Sequence, residues 1–231
     1  MLKSLEMATR AEKALAEHER LLNREMTLWS AGKARIAGLD EAGAGPWAGP
    51  VTAGCVVLDR NRLSALVGVN DSKKLTHEKR VAFAALIKEN ALAWAVAKAS
   101  PKEIDEINIR QASLLAMRRA LEGVQKKLAS VDHLLIDARK LENINIPQEG
   151  IIRGDSESLS IASASILAKV WRDDEMIEAA QTYPEYGFEK HKGYGTKQHQ
   201  LALAEYGVTP LHRRSFAPIR VQLEREAELH P

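Results

Sequence analysis

Apolar positions along the 231-residue chain change period several times, and each change marks an element. Over residues 3–29, Leu15, Leu22 and Trp29 recur at steps of seven among charged neighbours, which predicts an N-terminal helix. Residues 34–40 and 51–58 are β-like runs separated by a Gly/Pro segment, which predicts two antiparallel strands. A polar loop covers 70–75. Thr76 is placed to cap a helix running to Asn90, with Glu78 and Lys79 in its first turn. Residues 91–99 read as a third strand, weakened by alanines, and Pro101 opens helical territory that continues as a long amphipathic helix over 109–128. The run 133–136 ends at Asp137 and predicts a buried strand; 150–153 predicts another. A strong helix over 159–180 is closed by Pro184, and shorter helices follow at 196–206 and 218–228. This order predicts an α/β protein with one mixed sheet and helices packed on it. Three segments result: a helical extension at 1–33, a sheet-bearing domain at 34–183, and a C-terminal helical segment at 184–231 packed on the same domain.

With 45% hydrophobic and 28% charged residues the chain can bury a full core. A net charge of +2 permits a nucleic-acid partner without announcing one, so any electrostatic footprint has to be local. Cys55, the single cysteine, lies in an apolar run and reads as a small buried hydrophobe. No stretch reaches the ~18 apolar residues of a membrane span. The N-terminus lacks the apolar core of a signal peptide, so the expected location is cytoplasmic.

The chemistry starts at residues 36–51, where Asp40 and Glu41 precede the turn Gly43-Ala44-Gly45. Consecutive strand side chains point to opposite faces, so the two acids converge only if the strand ends at Asp40 and Gly43 turns the chain. A solvated pair opening a turn is the plainer alternative. Asp137 stands at the end of a buried strand, where sites on α/β sheets usually lie; a turn-forming or capping role is the alternative. On the 159–180 helix, ~100° per residue puts Leu159, Ala162, Ile166, Val170 and Ile177 on one stripe, with Asp173 in its middle and Asp174 at its edge. An ionised carboxylate on such a stripe is costly unless compensated. Either Lys169 or Arg172 pairs with it, or it ligates a metal, the reading favoured here. Four acids of this kind suit Mg²⁺ or Mn²⁺, whereas one cysteine and no helical His-x-x-x-His pair disfavour zinc.

Asp71-Ser72-Lys73-Lys74-Leu75 places two lysines and a hydroxyl in a loop able to hold phosphate oxygens. In His191-Lys192-Gly193-Tyr194-Gly195-Thr196 an aromatic between glycines is poorly placed for a core and well placed to stack on a sugar or base. His212-Arg213-Arg214-Ser215 adds positive charge late in the chain. Basic, aromatic-bearing loops around an acidic centre are what a metal-dependent nuclease needs.

Taken in order, Gly38–Gly43, Asp71–Leu75, Leu135-Ile136-Asp137, Ala162–Asp173, His191–Thr196 and His212–Phe216 resemble the ribonuclease HII family of bacterial type, across residues 36–216. The resemblance implies a ribonuclease H-like fold with a central five-stranded mixed sheet. It implies a site at Asp40, Glu41, Asp137 and Asp173 holding two Mg²⁺ or Mn²⁺ ions. The activity implied is endonucleolytic cleavage of RNA in RNA–DNA hybrids and at single ribonucleotides in duplex DNA, leaving 5′-phosphate and 3′-hydroxyl ends. Gly43, Ala44 and Gly45 would then read the ribose 2′-hydroxyl and Tyr194 would stack on the sugar. Ser72, Lys73 and Lys74 would hold phosphates, and the chain would act as a monomer without a protein partner. One departure stands out: the family turn reads Gly-Arg-Gly, and here Ala44 replaces the arginine. The related ribonuclease HIII carries Glu as its fourth acid and a larger N-terminal domain, which Asp173 and the short N-terminal helix argue against. A strand-transfer enzyme of the same fold fits the adjacent Asp-Glu and the Gly-Tyr-Gly loop poorly. A non-catalytic hybrid-binding protein would need a damaged acid set.

Overall fold

A computed structural model of the chain describes residues 2–229, so Met1, His230 and Pro231 of the predicted terminal segments lie outside the described residues. Strand β1 (Ile36–Ala42) pairs antiparallel with β2 (Val51–Leu58), and β2 antiparallel with β3 (Ala91–Ala99). On its other edge β1 runs parallel to β4 (His133–Asp137), which runs parallel to β5 (Gln148–Ile151). The result is a mixed five-stranded sheet in the order β3-β2-β1-β4-β5, with β1 and β4 ending side by side.

Helix α1 is Leu2–Ser30 and helix α2 is His77–Asn90, the latter capped by the Thr76 hydroxyl as the sequence predicts. Helix α3 (Pro101–Gln125) covers one sheet face and opens on a capping box formed by Ser100 and Glu103. It breaks at Asn108, which sits at φ 65°, and the Asn108 side chain accepts from Gln111 N at 3.1 Å to restart the helix. That restart is where the periodicity of 109–128 begins. Helix α4 (Leu159–Thr182) lies on the opposite face, unusually close. A Cβ at Gly38 would stand 2.2 Å from the Ser160 carbonyl carbon, and one at Gly54 would stand 2.3 Å from the Ala164 oxygen. Glycine at these two strand positions therefore lets the helix backbone press onto the sheet.

The buried face of α1 differs from the predicted one. Leu22 and Trp29 are buried, but Leu15 is 49% exposed, and the face runs through His18, Leu21 and Glu25 instead. Fully buried Glu25 accepts from Ser158 Oγ (2.6 Å), Ser160 N (2.9 Å) and Ser160 Oγ (2.7 Å), so α1 caps the N-terminus of α4 with a carboxylate. The α4 stripe holds through Leu159, Ala162, Ile166, Val170 and Asp173, but Ile177 is 38% exposed and Met176 takes its place in the core.

The C-terminal part adds α5 (Phe188–His191), which the sequence reading did not predict, then α6 (Lys197–Tyr206) and α7 (Ala217–Leu229). A separate small core of Ala48, Met176, Tyr186, Phe188 and Ala202 ties this region to the turn after β1 and to the end of α4. Among the described residues no helix is long and apolar enough to cross a membrane.

Candidate active site

Strand β1 continues past Asp40 to Ala42, which still pairs with Thr52, so the expected strand end at Asp40 is corrected. Asp40 lies on the α4 face with Gly38, and Glu41 on the α3 face with Leu39. Both nonetheless line one cavity of about 280 Å³, because the strand stops one residue later and leaves its end open. Asp137 lines it too, brought there by the parallel register that sets Leu39 opposite Ile136.

The carboxylates are held by backbone donors. Glu41 N donates to Asp40 Oδ1 and Gly154 N donates to Asp137 Oδ1, each at 2.7 Å. Burial, then the charges of Asp137, Glu41 and Asp155, push the Asp40 carboxyl well above the usual range. Burial and Asp137 raise Glu41 as well, against a downward pull from Arg139 and Lys73.

The fourth acid of this electrostatic cluster is Asp155, which the sequence reading missed. It is buried, accepts from Lys73 Nζ at 3.2 Å, and is raised by burial against Lys73, with Asp71 and Asp137 adding to the rise. No periodicity singles it out: Gly154-Asp155-Ser156 reads as an ordinary turn before a helix. Asp173, the acid expected here, is turned elsewhere. Lys169 Nζ donates to its Oδ1 at 2.7 Å and Arg80 Nη2 stands 3.9 Å from its Oδ2. Asp173 does not line the cavity, whereas Lys169 and Arg80 do. The paired-acid alternative thus describes its contacts, with Arg80 rather than Arg172 as second partner.

Arg172 and Arg213, both fully buried, hold the glycine turn. Arg213 donates to the carbonyls of Gly43 (2.6 Å), Ala44 (2.9 Å), Gly49 (3.0 Å) and Pro50 (3.1 Å). Arg172 donates to Pro50 O at 3.0 Å and Ala48 O at 3.2 Å. Gly43 has φ 89°, and a Cβ there would lie 1.9 Å from Arg172 Nε, so only glycine fits. With the Gly43 and Ala44 carbonyls pinned inward, peptide planarity turns the N–H groups of Ala44 and Gly45 outward. The positive charge expected of 212–215 is therefore spent internally at Arg213. His212 also stays uncharged: burial, then His199, lowers its pKa to about 4.

Tyr194 lines the cavity and is 46% exposed, as an aromatic kept out of the core should be. Its loop is fastened to the turn by Trp47 N donating to Gly193 O at 2.9 Å. Beneath it His199 Nδ1 contacts Tyr194 O at 3.0 Å and His199 Nε2 contacts His212 Nε2 at 3.0 Å. Ser72 Oγ lies 2.9 Å from Ser165 Oγ, and both line the cavity with Lys73. Lys74 instead faces a different cleft, bonding to Asn70 and Ser156.

Residues 37–219 match the family model described as Ribonuclease HII. The chain belongs to the ribonuclease HII family. A Ribonuclease HII from Desulfitobacterium hafniense is 53% identical over 216 residues, covering 92% of this chain and 81% of the relative. The solved ribonuclease H2 of Pyrococcus horikoshii superposes with a TM-score of 0.73 at 26% identity, covering 84% of this chain and 99% of that one. Bst ribonuclease HIII, solved in complex with Mn²⁺, shares the fold with a TM-score of 0.67 at 18% identity, covering 85% of this chain and 71% of its own. As a member of the ribonuclease HII family the chain is a nuclease, with the mixed sheet and flanking helices of the ribonuclease H-like fold.

Among the described residues no group of three His, Cys, Asp or Glu side chains is already closed into a metal cage. The donor chemistry nonetheless fits a hard divalent cation: the acids are oxygen donors only, and Asp40 is a buried carboxyl whose main charged neighbours are acids. Such a cluster is costly to ionise until a cation joins it.

Proposed function

We propose that the chain is an endonuclease that hydrolyses the RNA strand of RNA–DNA hybrids and cuts at single ribonucleotides in duplex DNA, leaving 5′-phosphate and 3′-hydroxyl ends. The observation that carries it is the juxtaposition of buried Asp40, with Glu41, Asp137 and Asp155 around it, and a turn whose Ala44 and Gly45 N–H groups face outward. Asp40, Glu41 and Asp137 would hold the divalent ions, Mg²⁺ or Mn²⁺, two in the reacting complex. Asp155 is the fourth carboxylate, uncovered as Lys73 swings from it onto a phosphate. Ions held there would acidify the attacking water and stabilise the negative charge on the leaving 3′-oxygen. Asp173 acts at one remove, fixing the positions of Lys169 and Arg80 in the cavity wall.

The substrate side rests on residues already in the wall. Two turn N–H groups can donate to the ribose 2′-hydroxyl, the group that separates RNA from DNA. The half-exposed Tyr194 ring would stack on the sugar, and Ser72 and Lys73, in the same wall, would meet phosphate oxygens. Lys74 sits too far round the surface to share that work.

Duplex DNA carrying one ribonucleotide, and a long RNA–DNA hybrid, incubated with Mg²⁺ or Mn²⁺, test the reading. Cleavage by the parent chain and its loss in Asp40→Asn and Asp155→Asn are expected. Asp173→Asn should retain more activity than Asp155→Asn; the reverse order would return Asp173 to the ligand set.

A further inference from the structure

Glu41, Ala44 and Asp137 line a second cavity of about 200 Å³ on the α3 side, behind the one that holds Lys73 and Tyr194. The carboxylates therefore form a partition with a cavity on either flank. Arg110, Ser113 and Arg139 line the second cavity; neither guanidinium makes a hydrogen bond or close ion pair among the described residues, and the charge of Arg139 is felt by Glu41 in the same wall. Neighbouring arginines are engaged: Arg119 pairs with Glu103 at 2.6 Å, and Arg118 donates to Glu142 O at 3.0 Å.

The backbone aims both side chains at this place. Arg139 N donates to Asp137 O at 2.7 Å across Ala138, which sits at φ 59°. That is a tight turn with a non-glycine residue in the left-handed region, directly after a site carboxylate. Arg110 lies in the first turn of the α3 segment that restarts after Asn108, itself at φ 65°. A left-handed non-glycine residue thus directly precedes, or stands two before, each of the two arginines that line this one cavity.

We propose that Arg110 and Arg139 form a phosphate subsite for the cleaved strand, on the flank of the carboxylates opposite Lys73. This rests on the nuclease reading above. A strand crossing Glu41 and Asp137 carries phosphates on both flanks, and each repels the acids unless a cation meets it. Lys73 serves one flank; Ala44 brings no charge to the other, so the arginine pair does. Guanidinium groups suit the task because their donor fork matches two phosphate oxygens.

Binding of a single-ribonucleotide duplex is measured by fluorescence anisotropy over a salt series. The cleavage-suppressed Asp40→Asn chain is compared with the same chain carrying Arg110→Gln and Arg139→Gln. Affinity should fall about tenfold or more, and the slope of log K against log salt should shrink by about 2, close to one for each lost phosphate contact. Adding Ala44→Arg, which returns a guanidinium to the same cavity, should recover about half of that slope. In the otherwise unaltered chain the paired Gln substitutions should raise KM more than they lower kcat. Both arginines are exposed, and unchanged thermal melting confirms that the variants fold. An unchanged slope in a chain whose parent cleaves the duplex overturns the subsite alone. A parent that cleaves neither substrate overturns the nuclease reading and the subsite with it.

Discussion

The strand-end carboxylates and the glycine turn sit in one cavity but are held by different means. Asp40, Glu41 and Asp137 are fixed by the register of β1 and β4, a repeating backbone ladder in which no single side chain decides the geometry. The turn at Gly43–Gly45 has no such ladder. Its carbonyls hang on Arg213, with Arg172 beside it, both far along the chain. The acids should therefore tolerate changes around them and lose function only when altered themselves, while the turn should fail through residues that never touch substrate.

The sharpest break in that contrast is Asp40→Asn. Removing the buried carboxylate should lower kcat by about a thousandfold, about 4 kcal/mol of transition-state stabilisation. Because burial and three acids disfavour its charge, the same change should raise the metal-free unfolding midpoint. A drop in midpoint would show that Asp40 supports the fold. Next comes Arg213→Met, which takes their donor from the carbonyls of Gly43, Ala44 and Gly49, leaves Pro50 O to Arg172 alone, and should cost about 3 kcal/mol in urea unfolding. Discrimination between ribo- and deoxyribonucleotide junctions should also weaken in that variant.

Lowering the pH should separate the two regions by sign. Burial brings His199 and His212 to about 4, the second aided by its neighbour, so the folded rings stay neutral while unfolded ones gain protons near 6.5. Stability present above pH 6.5 is thus lost as pH falls toward 4, by about 3 kcal/mol for each ring. Asp40, Glu41 and Asp155 are raised, so their protonation favours the fold and works the other way. Urea midpoints at pH 7 and 4.5 read the balance; a flat profile would mean that the acids offset the histidines. The smallest effect expected is for Glu25→Ala, about 2 kcal/mol from unpaired serine donors, with activity per folded molecule unchanged.

The same division explains what the sequence discloses. The strands and the acids on them follow from a period of two and a polar residue closing an apolar run, so Asp40, Glu41 and Asp137 were legible as candidates, although β1 runs on to Ala42 and β5 spans Gln148–Ile151 rather than 150–153. Asp155 was not, because a Gly-Asp-Ser turn looks the same whether its carboxylate faces solvent or a site. The α4 stripe located Asp173 in the core correctly, yet which cations meet it depends on Arg80 from another helix. The buried face of α1 was misplaced because two of its members, His18 and Glu25, are polar and no apolar pattern credits them. Arg213 reads as surface charge until its four carbonyl partners are seen.

The contact between Glu25 and the start of α4 also constrains the order in which a growing chain becomes native. Glu25 leaves the ribosome about 135 residues before Ser160, roughly 7–27 s at ordinary elongation rates. Throughout that interval its carboxylate has no serine to meet, and β1 has no β4. The first helix made must therefore wait for its contact with α4, so a nascent chain truncated before residue 158 should leave α1 more open to proteases than the finished protein does.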